Sequence, residues 1–264
     1  MSESPTLAAD FQTQSRETWL RTVHGVILKS SPDATPDEYD APFRPQHVTT
    51  PDDGIEIQPL YTAADVSATT SWPGEAPFVR STHADPRPWE IRQRVWSSVA
   101  DSSAVGELES GATGLLVEVD GRGDVDSLAR TLDGVYLDLA PVSLSSSLDD
   151  VGLGAASSLL ELWDRRGIAA TERRGSLGVD PIGTWLRTGG AVDLVSAWDD
   201  TASLVSRAHV SAPSARVVTV DGTVWHDAGA NTVQELAWTI AAGAAAIRAL
   251  VRDGLSLDVA ARTL

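Results

Sequence analysis

The chain has 264 residues, with 20 basic against 37 acidic side chains and a formal charge of −17. A pI near 4.5 argues against nucleic acid or an anionic membrane surface as the main partner, because both attract a basic footprint. Cysteine is absent, which removes disulfides, thiolate metal sites and a cysteine nucleophile, while 42% apolar residues supply a core far from the composition of disorder.

Lys29 is the only lysine, so there is no glycine-lysine phosphate loop. No run approaches the roughly 20 apolar residues of a membrane span, and residues 1–10 lack a basic region leading into an apolar one. The expectation is a soluble cytoplasmic protein.

Along the chain, Phe11, Trp19, Leu20, Val23, Val26 and Ile27 recur at helical spacing, which predicts an exposed tail and then a helix up to about residue 30. Prolines at 32, 36, 42, 45, 51, 59, 73, 77, 86 and 88 forbid long helices and central strands in 30–90. The same stretch holds Ile55, Ile57, Leu60, Tyr61, Trp72, Phe78 and Trp89, too much apolar surface for a bare linker. It reads as an extended arm ordered by whatever it lies along.

From residue 89 short β-like runs alternate with helical ones. Strands are predicted over 91–96, 114–119, 135–140, 176–180 and 216–220, with helices over 99–109, 125–132, 155–166 and 199–209 between them. The last helix has the clearest signals. Asn231 with Gln234 reads as a capping box, Val233, Leu236, Ala237, Ile240, Ala244, Ile247 and Val251 share one face, and Gly254 sits at the stop.

This alternation predicts an α/β fold with parallel strands and right-handed crossovers. An open doubly wound sheet and a (β/α) barrel share the signature. The barrel is preferred because no glycine-rich loop follows the first strand, Gly121-Arg122-Gly123 being the nearest imitation. The expected architecture is TIM-barrel-like but incomplete, about five of eight units, with an extended N-terminal arm. Residues 1–88 form the helix and arm, and 89–264 the partial barrel.

Glu118, Asp120, Asp138, Asp180 and Asp221 stand near the predicted strand ends. In a barrel such groups face the active site and suit a divalent cation or a shared proton, as in a metal-dependent hydrolase or lyase. Capping of the next helix is the competing explanation. His24, His47, His83, His209 and His226 show no metal-pair spacing; His226, next to Asp227, is placed for a general base or for a plain ion pair. Arg80, Arg87, Arg92 and Arg94 lie among Trp89 and Trp96, which suits an anionic, partly flat ligand or a set of salt bridges. Arg122-Gly123-Asp124 reads as a turn.

Several blocks in order resemble the methylmalonyl-CoA mutase family. Residues 59–66 (PLYTAADV), 73–80 (PGEAPFVR) and 87–93 (RPWEIRQ) resemble the opening of its barrel. Residues 134–141 (GVYLDLAP), 178–183 (GVDPIG), 226–230 (HDAGA) and 233–237 (VQELA) look like its small subunit. The resemblance implies an isomerase that interconverts methylmalonyl-CoA and succinyl-CoA with adenosylcobalamin, an N-terminal segment threading toward a partner subunit, and coenzyme A passing down the barrel's middle. The DxHxxG sequence of the family's cobalamin domain is absent, so the cofactor is expected in the assembled enzyme rather than on this chain.

Thr82, Arg87, Arg92 and Gln93 match family positions near the substrate. Arg94 stands where catalytic subunits of the family carry a tyrosine, and His83, Ala84, Asp85 and Pro86 replace aromatic and methionine residues. A gapless register puts Val224 at the catalytic histidine position, and a two-residue gap puts His226 there. The resemblance thus implies a small, non-catalytic subunit that braces a catalytic large subunit, with acyl-CoA as a weaker candidate ligand and no catalytic residue of its own.

Overall fold

The computed structural model describes residues 11, 12, 14–30, 54, 56–65, 71–85, 88–97, 103–119, 123–146 and 151–264. Arg87, Asp120, Gly121, Arg122, His47 and the first part of the predicted helix at 99–109 lie outside the described residues. The chain divides into two compact units, Met1–Asp85 and Pro86–Leu264.

In the first unit, helix α1 (Arg16–Ser30) half-buries Trp19, Leu20, Val23 and Ile27, whereas Val26 is exposed. Arg16 reaches Asp65 at 3.2 Å and ties the helix to the short turn Ala63–Asp65. The Asp65 carboxylate also accepts from the Thr62 backbone N–H (2.7 Å) and hydroxyl (2.8 Å). These Thr62 bonds, with help from Arg16, hold its pKa below the usual carboxylate value.

The second unit is built on five parallel strands: β1 (Arg92–Trp96), β2 (Gly114–Val119), β3 (Val142–Ser146), β4 (Gly175–Val179) and β5 (Ala215–Val218). Their order in the sheet is their order in the chain. A doubly wound sheet reverses direction at a switch point; a barrel keeps adding neighbours on one side. The unbroken order therefore makes this the architecture of an incomplete (β/α) barrel. Helices α2 (Ala104–Glu109), α3 (Val125–Thr131), α4 (Leu153–Arg165), α5 (Pro181–Arg187) and α6 (Leu194–Ser211) lie in the crossovers. After β5 come α7 (Thr223–Asp227), α8 (Thr232–Arg252) and α9 (Leu257–Arg262).

Side chains alternate across a strand, and here the alternation separates two chemistries. Val95, Leu115, Val117, Val119, Val142, Leu144, Leu177 and Val179 are all buried, together with Leu128, Leu159, Trp163, Trp198, Val205 and Leu250 from the helices. The alternate positions Arg92, Arg94, Ser143, Ser145 and Ser176 are polar. Strands buried on both faces would be apolar throughout; these are apolar on the helix side and mainly polar on the other, where Leu116 and Trp96 are the apolar exceptions.

The predicted strand at 135–140 is a turn, and the true third strand begins at Val142. The N–H groups of Leu139 and Ala140 both bond the Tyr136 carbonyl (3.1 and 2.9 Å). Arg174 takes the carbonyls of Asp138 and Leu139 (3.0 and 2.8 Å), and Arg166 takes those of Ala129, Leu132 and Val135. With these carbonyls bonded to guanidiniums, the segment makes no ladder. The serines of VSLSS hid the real strand.

Helix starts follow their caps. Asp124 accepts from Ser127 N–H, Asp180 from Gly183 N–H with Pro181 at the first helical position, and Asn231 with Gln234 forms the predicted capping box. At the far edge of the sheet, the Thr263 carbonyl accepts from the N–H groups of Val217 and Val218 (2.9 and 3.0 Å). Arg216 donates to the Arg262 carbonyl beside it.

β4 is irregular between Ser176 and Val179, and Gly178 has φ +74° there, with the position of a Cβ only 2.2 Å from the Leu144 carbonyl oxygen. Any side chain meets both left-handed strain and a backbone collision. Gly178→Ala is expected to destabilise the barrel unit by about 2–5 kcal/mol, read as a lowered urea midpoint with an unchanged slope.

Candidate functional site

The carboxyl ends of the strands open onto a cavity of about 300 Å³ lined by Arg92, Arg94, Ser143, Ser145, Ser176, Gly178, Asp180, Arg187, Thr219 and Asp221, among others. Apart from Arg187, the lining side chains are placed by the strand alternation or by the turn that follows a strand. Arg94 projects from β1 toward Glu118 at the end of β2, 3.8 Å away, and Ser145 of β3 meets the same carboxylate at 3.4 Å. The Ser176 and Thr219 hydroxyls are 3.2 Å apart. Arg187, at the end of α5, faces both Asp180 (3.8 Å) and Asp221 (3.5 Å) and so links the ends of β4 and β5.

Asp180 is the most perturbed of these groups. Its side chain is 9% exposed, one oxygen caps α5 through Gly183 N–H at 2.8 Å, and the other is buried without a hydrogen bond of normal geometry. Burial raises its pKa to about 6, against the opposing pull of Gly183 N–H and Arg187. Ser143 Oγ, on β3 in the same lining, is also buried without a hydrogen-bonding partner among the described residues.

The metal-dependent reading of the carboxylates is not favoured. Glu118, Asp180 and Asp221 do end near the strand termini, but each faces an arginine, and among the described residues no group of three His, Asp or Glu can hold a metal ion. Asp138 lies in the turn ahead of β3, not at a strand's carboxyl end. His226 is on α7 with its side chain 67% exposed and Nδ1 3.0 Å from Glu235 Oε2. The two side chains form a hydrogen-bonded pair on the surface, and His226 does not line the cavity.

Of the family-matched positions, Arg92 lines the cavity, and its Nε is engaged by Glu90 at 2.7 Å. Gln93 is exposed on β1 and Thr82 is exposed in the first unit. Sequence reasoning missed Ser143, Ser145, Ser176, Thr219 and Arg187. The signal was present in the every-second-residue serines of VSLSS and in the serine of GSLGV.

Comparison with known proteins decides the relationship. The methylmalonyl-CoA mutase family model matches residues 50–127 and 123–264. The chain belongs to the methylmalonyl-CoA mutase family. It is 37% identical, over 96% of its own length and 41% of the relative's, to a methylmalonyl-CoA mutase small subunit of Streptomyces virginiae. Against the small subunit of Propionibacterium freudenreichii subsp. shermanii the identity is 32%, over 98% and 40%. A probable methylmalonyl-CoA mutase large subunit of Mycobacterium bovis is 27% identical over 78% of this chain and 32% of that one. The chain spans about two fifths of the length of the small subunits it matches.

The raised Asp180 pKa gives stability a defined pH dependence. At neutral pH the carboxylate is ionised in both states, and its burial costs folding free energy. As pH falls through about 6 the folded state takes up a proton that the unfolded state, with its ordinary value of 3.8, does not, so this contribution to stability rises and levels off below the unfolded value. Asp180→Asn keeps an acceptor for Gly183 and removes the charge. It is expected to raise stability by about 1–3 kcal/mol at pH 7.5, with the difference from wild type shrinking toward pH 4 in denaturant melts.

Proposed function

We propose that this chain serves as part of the small, non-catalytic subunit of an adenosylcobalamin-dependent methylmalonyl-CoA mutase, bracing a catalytic large subunit in the cytoplasm. In this reading residues 1–88 are the arm and 89–264 the partial barrel. The observation that carries it is the fate of the reactive centre. Arg94 stands in place of the family's tyrosine and is turned to Glu118, while His226 is on the surface with Glu235. Similarity to relatives named small subunits, at 32–37% identity over nearly the whole chain, supports the same reading. No helix among the described residues is long and apolar enough to cross a membrane.

Adenosylcobalamin belongs to the assembled enzyme. The described residues do not fit a corrin: the 300 Å³ cavity at the strand ends is far too small, its lining includes no histidine, and its mouth is spanned by ion pairs. No radical step is assigned to this chain.

A second reading rests on the small hydroxyl-bearing lining of Ser143, Ser145 and Ser176, which leaves room for part of an acyl-CoA. In that reading Arg92, one of the positions that resemble the family's substrate-binding set, would contact the ligand. Arg92→Ala would then weaken acyl-CoA binding measured by calorimetry by about tenfold, the loss of one charge-assisted bond.

Mixed with purified large subunit from the same organism, the chain is expected to co-migrate in gel filtration. With adenosylcobalamin and methylmalonyl-CoA but no partner it is expected to show no turnover. Failure to co-migrate ends the subunit reading, and turnover without a partner ends the non-catalytic one.

A further inference from the structure

We draw no further inference here: the strongest candidate, the strand-end cavity where Ser143 Oγ and Asp180 Oδ2 are buried without a hydrogen-bonding partner among the described residues, belongs to the site already described, and in a chain that spans about two fifths of the length of the small subunits it matches nothing in the structure shows what meets those two atoms.

Discussion

The division of the sheet into an apolar face and a polar face is the constraint on which the rest of this structure depends. Alternation along each parallel strand sends Val95, Leu115, Val117, Val142, Leu144 and Leu177 under the helices and leaves Arg94, Ser143, Ser145 and Ser176 to line the cavity. Ordinary closed barrels fill that second side with layers of branched aliphatics. Here serines and a glycine stand in those places beside Leu116, so most of the hydrophobic contribution comes from the helix side. Trp163, in the last turn of α4, is the largest fully buried side chain there.

A polar inner face brings charges with it, and buried charges are tolerated only with partners. Glu118 faces Arg94, and Arg187 stands between Asp180 and Asp221, at separations of 3.5–3.8 Å. These are ion pairs without close hydrogen bonds, which is why Asp180 keeps the signature of its burial in spite of a nearby guanidinium. The same strand ends are where a barrel places its chemistry. With each carboxylate turned toward an arginine, the ion pairs at the strand ends and the scaffold that carries them are distinct features of this fold. The two are separable because the core on the helix side does not depend on what lines the cavity.

Much of this was legible in the residues. The second strand was predicted with its observed limits, β1, β4 and β5 were found within two residues at either end, and the Asn231–Gln234 capping box is present as read. These signals are local, since each depends on a run of a few side chains or on one cap. The third strand failed for a physical reason. GVYLDLAP has the apolar content of a strand, but Arg166 and Arg174, distant in sequence, take its carbonyls. The cavity lining was missed because serines on one face of a strand look like loop composition until the other face is known to be buried.

By itself, the sequence determined the alternation of strands and helices, the caps that start the helices, and the family. All of these are carried by residue types and short spacings. Tertiary structure alone decided which side of each element is buried. It paired Arg187 with both Asp180 and Asp221, left His226 on the surface with Glu235, and put Ala242, Ala246 and Leu250 of α8 inward with Leu236 and Ile240 outside. The reason is that burial belongs to the neighbour as much as to the residue: periodicity shows that a helix has an apolar stripe, and only the packed sheet shows whether this chain covers it.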